Sequence, residues 1–146
     1  MILDKIDSKI IEILEVDGRT SNAFMAQKIG VSEGTIRRRL EKLISGDYLQ
    51  VNGVANLSKI GLYSQAIIGI KADADKIEQI VETLSQFQEV KWLTETTGQY
   101  DVFCWVALGT PKDLGKFLRD KLGSIAGLQR SETFVSLGGI VKNLMA

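Results

Sequence analysis

Histidine is absent from the 146 residues, and cysteine and proline occur once each. Without histidine the chain lacks the commonest general base near neutral pH and the commonest metal ligand. A lone cysteine forms no internal disulfide, and with no histidine beside it a structural zinc site has no ligand set. Cys104 lies in the apolar run from Val102 to Leu108, where it reads as a small core residue. No cofactor is expected. No apolar run reaches the ~20 residues that a bilayer-spanning helix needs. The opening, Met1 to Ser8, carries Asp4, Lys5 and Asp7 and has no apolar stretch of the kind a signal peptide requires. A cytoplasmic protein with no membrane partner is therefore expected. Excess charge of either sign is also missing, with 18 basic against 18 acidic residues and 8 of each within residues 1–50. Nucleic-acid binders often show a basic excess. The informative feature here is local: Arg37, Arg38 and Arg39 are consecutive.

What is present falls into two patterns. Ile6, Ile10, Ile13 and Leu14 form one apolar stripe, which predicts a helix over Asp4 to Asp17. Gly18 follows and suits a left-handed cap. A second helix is expected from Asn22 to Ile29, capped by Ser21 or Asn22. Its inward residues are Phe24 or Met25, with Ala26 and Ile29. Ser32 caps a third helix, Glu33 to Ser45, striped by Ile36, Leu40, Leu43 and Ile44 and stopped by Gly46-Asp47. Three helices with a tight Gly30-Val31-Ser32 turn before the third are the outline of a helix-turn-helix.

The second pattern begins after Gly46. Tyr48 to Val54 alternates and suggests a strand, and Asn56 to Gly61 reads as a connector. Strands are then expected at about 63–71, 90–97, 101–109 and 128–137, with helices at 74–86 and 111–122, the latter opened by Pro111. The order βαββαβ is ferredoxin-like, with both helices on one face of an antiparallel sheet. The fold class is α+β. Residues 1–50 are expected to form a three-helix helix-turn-helix domain, 51–61 a strand and linker, and 62–146 a ferredoxin-like domain. The strand at 101–109 is apolar on both sides. One face of the sheet should therefore be covered by a second sheet, which predicts a homo-oligomer, or else by the N-terminal domain.

On the third helix, Arg38 and Lys42 point away from the apolar stripe and Thr35 shares that outer face, with Gly34 at its edge. Ser32 and Thr35 are short polar groups able to enter a major groove, and Arg38 suits guanine O6 and N7. Arg37, Arg39 and Lys42 can reach phosphates. Gly34 removes bulk where a duplex would approach. The same face could equally be a solvated one, with Glu33 and Glu41 as ion-pair partners. The run Thr94 to Asp101 joins two strands and gathers hydroxyls, a carboxamide, a phenol and a carboxylate around Gly98. It reads as a hairpin with a polar turn. It could also hold a zwitterion, with backbone N–H groups on a carboxylate and Asp101 on an ammonium. Ser131 and Thr133 add polar groups to the last strand.

Several of these stretches resemble the Lrp/AsnC (leucine-responsive, feast/famine) regulators. They are Leu3-Asp4-Lys5-Ile6-Asp7 through Asp17-Gly18-Arg19, Gly30-Val31-Ser32, Thr35 through Leu43, and the loop Thr97-Gly98-Gln99-Tyr100-Asp101-Val102. The resemblance covers nearly the whole chain. It implies a transcriptional regulator of double-stranded DNA, with residues 1–50 as a helix-turn-helix (winged-helix-like) DNA-binding domain and 62–146 as a dimerisation and effector-binding domain, whose dimers form through the sheets and assemble into octamers or similar rings. It also implies an amino-acid effector bound between dimers. Thr97, Gly98, Gln99, Tyr100 and Asp101 are the effector candidates by this resemblance, and Thr133 joins them by its strand position. Glu33 stands where many members carry proline, which puts a negative charge near the phosphates. Two other readings are a sensing or assembly module that does not bind DNA, and a subunit similar to siroheme decarboxylases. The latter depend on histidine near the tetrapyrrole, and this chain has none. The expectation is a regulator, not an enzyme.

Overall fold

The computed structural model describes residues 2–139. The expected boundary at residue 146 therefore lies outside the described residues. These residues fall into two compact units that divide between Val54 and Ala55, within the predicted 51–61 connector.

The first unit is helical. Helix α1 spans Lys5–Val16, α2 Asn22–Ile29 and α3 Glu33–Ser45. Each start is fixed by a side chain that accepts otherwise unpaired N–H groups. Asp4 accepts from Ile6 and Asp7 in a reciprocal capping box, Ser21 accepts from Phe24, and Ser32 accepts from Thr35. Ile10, Met25, Ile36 and Leu43 are fully buried. Each such side chain contributes about 1.5–3 kcal/mol relative to exposure. Met25 rather than Phe24 faces inward; Phe24 is exposed, with Lys28 above its ring. Gly30 takes the left-handed conformation at φ 85°. Gly18 does not. Asp17 ends α1 in an extended conformation instead, and a Cβ on Gly18 would meet Val51 at 3.1 Å. The expected strand over 48–54 is not formed. The N–H groups of Tyr48 and Leu49 turn back to the Leu43 carbonyl and close α3, so alternation there has no ladder to join.

The second unit is a four-stranded antiparallel sheet in the order β2-β3-β1-β4. Strand β1 is Ser64–Ala72, β2 Val90–Glu95, β3 Val102–Leu108 and β4 Leu128–Val135. Helix α4, Ile77–Ser85, follows β1. Helix α5, Pro111–Lys116, follows β3 and continues as a π turn over Phe117–Lys121. The wider turn lets Phe117 and Leu122, five residues apart, both reach the core. Ile80 and Leu84 of α4 pack with Leu114, Phe117 and Leu122 against Ile68, Ile70, Val102, Cys104 and Val106. Both helices therefore lie on one face, as the βαββαβ order predicts. Burial raises the Cys104 thiol pKa to about 12, consistent with a core role.

The alternate residues form the opposite, open face. Ile67 pairs in register with Trp105 on one side and Phe134 on the other, and Gly69 pairs with Phe103 and Glu132. Ile67 and Phe134 are 48% and 47% exposed in the single chain. The row Phe103, Trp105, Ala107 belongs to this face and Val102, Cys104, Val106, Leu108 to the core.

Candidate nucleic-acid interface and effector site

Helix α3 is built to present one edge. Its N-terminus is closed by Ser32, whose hydroxyl accepts the Thr35 N–H at 3.1 Å and lies 2.8 Å from the Thr35 hydroxyl. The two hydroxyls expected to face a groove thus form one pair at the helix start. Gly34 beside them is exposed, and a Cβ there would meet nothing within 4 Å. Arg38 and Lys42, one turn apart, are exposed, and among the described residues neither makes an ion pair. Arg37 is exposed and lies 3.4 Å from Glu33, four residues before it. A pair of that kind is weak and easily exchanged.

Arg39 departs from the expectation. It was grouped with the phosphate-reaching cations, but it faces the start of α1. Its Nη1 donates to Asp4 Oδ2 at 2.6 Å and to Asp7 Oδ1 at 2.9 Å. Its side chain is 26% exposed, that of Asp7 only 6%. The pairing raises the arginine pKa further, chiefly through Asp7 and then Asp4. The Asp4 carboxyl is held below its ordinary value of 3.8, first by the Asp7 N–H and then by Arg39.

The loop between β2 and β3 is also tied down. Gly98 sits at φ 108°, a conformation that glycine supplies without strain. Thr97 and Gln99 are exposed beside it. The Thr96 hydroxyl donates to the Tyr100 carbonyl, and the Thr96 N–H to that of Asp101. Asp101 does not offer a free carboxylate. Oδ1 accepts from Lys71 Nζ at 2.9 Å and Oδ2 from the Ala72 N–H at 2.9 Å. Those bonds, the Ala72 N–H first, lower its pKa. Asp101 therefore fastens the loop to β1.

The Tyr100 ring lies on the open face directly over Gly69, where a Cβ would come within 2.8 Å of it. It packs edge-on against Phe103 at 5.4 Å between centroids. Its hydroxyl donates to Glu132, and the Arg130 guanidinium sits 5.9 Å from the ring. Gly69, Arg130 and Glu132 were not anticipated. A glycine inside the run Ala66-Ile67-Ile68-Gly69-Ile70 was the available signal, since a strand glycine often marks close approach. Thr133 is not part of this group. It pairs with Ile68, whose side chain is in the core, so it stands on the helix-covered face.

Two expected results follow. Asp4 and Asp101 have folded-state pKa values below 3.8, so their stabilisation is complete above that pH and is lost as pH falls through the lower folded values. Thermal melting followed from pH 7 to below 3.8 should show a falling Tm. The fall should be shallower in Asp4→Asn and Asp101→Asn. Gly69→Ala should force the Tyr100 ring off the sheet and cost about 1–3 kcal/mol in urea unfolding. An unchanged midpoint would mean that the ring yields freely.

Among the described residues no cluster of three or more His, Cys, Asp or Glu side chains could hold a metal, and no helix is long and apolar enough to cross a membrane. Comparison with known proteins matches residues 3–44 to the AsnC-type helix-turn-helix domain and residues 65–145 to the Lrp/AsnC ligand binding domain. An HTH-type transcriptional regulator of Pyrococcus furiosus is 33% identical over 135 residues, covering 92% of this chain and 91% of the relative. The HTH-type transcriptional regulator Ptr1 of Methanocaldococcus jannaschii is 34% identical over 122 residues, 83% of this chain and 82% of the relative. The solved structure of E. coli AsnC superposes with a TM-score of 0.84 at 26% identity, covering 99% of each chain. A regulator from Neisseria meningitidis solved as an L-Met complex gives 0.84 at 24% identity over 97% of this chain and 94% of that one. This chain belongs to the Lrp/AsnC family: it is a DNA-binding transcriptional regulator with a ligand-binding domain, and not an enzyme.

Proposed function

We propose that the outward edge of α3 reads double-stranded DNA and that the Tyr100 cluster with its loop senses an amino acid in an oligomeric, cytoplasmic regulator. The observation that carries the first part is the pair Arg38 and Lys42, exposed and unpaired among the described residues on a capped helix. Arg38 reads a base edge and Lys42 meets a phosphate. Ser32, Gly34 and Thr35 lie at the end of the helix that enters the groove, with Arg37 flanking.

For the effector, the occupied Asp101 carboxylate argues against its holding the ammonium group. Arg130 supports a carboxylate contact and Glu132 an ammonium contact, with Tyr100 and Phe103 against the side chain. Thr97, Gly98 and Gln99 form the exposed rim. The L-Met in the Neisseria structure supports an amino acid as the class. The apolar open face supports a homodimer joined sheet to sheet, and the family resemblance supports further assembly to an octamer.

Isothermal calorimetry against the twenty amino acids tests the effector reading. Binding of at least one is expected, weakened at least tenfold by Arg130→Ala. Silence across the whole set would remove amino-acid sensing. A salt-dependent mobility-shift assay on the chain's own upstream DNA tests the groove reading.

A further inference from the structure

The Arg39 clamp has a geometry that a stray surface pair does not. Asp4 Oδ1 accepts from the backbone N–H groups of Ile6 and Asp7, and Asp7 Oδ2 accepts from that of Asp4. One oxygen of each carboxylate is therefore fixed by the start of α1. The remaining two, Asp4 Oδ2 and Asp7 Oδ1, converge on a single guanidinium nitrogen 32 to 35 residues away in sequence. The acids are placed by their own helix cap and form a ready receptor for one cation.

That receptor borders the DNA-facing edge. Asp4, Asp7 and Arg39 line a hollow of about 240 Å³ together with Ile2, Arg38 and Lys42. A phosphate met by Arg38 or Lys42 would lie close to both acids. Screening acts over about 8 Å at physiological salt, so uncompensated carboxylates at this place would repel the duplex.

We infer that Arg39 is a positioning and shielding residue for DNA binding rather than a phosphate ligand. It occupies the two α1 carboxylates, offsets one of their charges, and pins the start of α1 to α3. Arg38 and Lys42 are left as the cations that meet the nucleic acid. The inference rests on the groove reading given above.

The test compares the native chain, Arg39→Gln, and the triple variant Arg39→Gln/Asp4→Asn/Asp7→Asn. In the triple variant the one carboxamide oxygen of each asparagine keeps the cap of α1, and with Arg39 absent its NH2 opposes no guanidinium. Affinity for a duplex carrying the upstream region is measured by fluorescence anisotropy over a salt series, with circular dichroism melts of each variant. Shielding predicts that Arg39→Gln weakens binding threefold or more and that the triple variant returns to within threefold of the native chain. A triple variant that stays threefold or more weaker, with the salt slope reduced by about 1, would make Arg39 a phosphate ligand and overturn the inference, as would native-like binding by a folded Arg39→Gln. If Arg39→Gln leaves Asp7 unpaired and unfolds, the triple variant against the native chain alone decides. No binding by the native chain would overturn the groove reading, and the inference with it. That outcome is distinct from binding that is insensitive to Arg39.

Discussion

Replacing Ile67 with glutamate is expected to convert the proposed sheet-to-sheet dimer to folded monomers. Ile67 sits at the centre of the open face, in register with Trp105 and Phe134. Its side chain takes no part in the helix-covered core formed by its neighbours Ala66 and Ile68. A charge there leaves the single chain's packing intact. In a two-fold interface each copy contributes the same patch, so the substitution places two like charges in one apolar contact. An unpaired charge buried in such a contact costs about 3–5 kcal/mol, which weakens dimerisation at least a hundredfold by the usual conversion of about 1.4 kcal/mol per factor of ten. Light scattering should give a multiple of 16.1 kDa for the native chain and 16.1 kDa for the variant. A native monomer, or a variant of undiminished mass, would mean that the face is covered some other way.

Removing the outward cations of α3 should act on a different property, DNA affinity. If Arg38 reads a base, Arg38→Ala should cost about 1–3 kcal/mol of DNA affinity, concentrated at one base-pair position in each half-site. Lys42→Ala should weaken binding to every duplex alike and lower the salt slope by about 1. Both side chains are exposed and make no ion pair among the described residues, so unfolding free energies should stay within about 0.5 kcal/mol of native. Anisotropy titrations on matched and base-substituted duplexes separate the two roles. Uniform loss from Arg38→Ala would make it a phosphate contact, and unchanged affinity in both variants would remove α3 from the interface.

Local chemistry made much of this architecture legible. Ser21 and Ser32 are caps because a short hydroxyl before an apolar stripe has few other uses. The βαββαβ order of elements along the chain implied an antiparallel sheet with both helices on one face, because few other arrangements are open to it. What escaped depended on relations between distant segments. On sequence alone Arg37 and Arg39 group together as cations able to reach phosphates. Only the packing of α1 on α3 distinguishes Arg39, held by Asp4 and Asp7, from Arg37, which stays in solvent. Tyr100 was singled out with its loop, but Gly69 and Glu132 join it through the registers of β1 with β3 and β4. Thr133, paired with Ile68, stands on the face opposite Tyr100, since successive strand residues alternate between faces. Alternation at 48–54 misled because a strand exists only with a partner, and the N–H groups of Tyr48 and Leu49 are committed to ending α3.

Selection of duplexes from a randomised pool, run in parallel with the native chain and with Arg38→Ala, bears most directly on the role assigned to α3. The native chain should enrich a two-fold symmetric sequence, and Arg38→Ala should enrich the same sequence with one position in each half relaxed. Failure of the native chain to enrich any sequence, or an identical consensus from both proteins, would contradict the assignment of base reading to that helix edge.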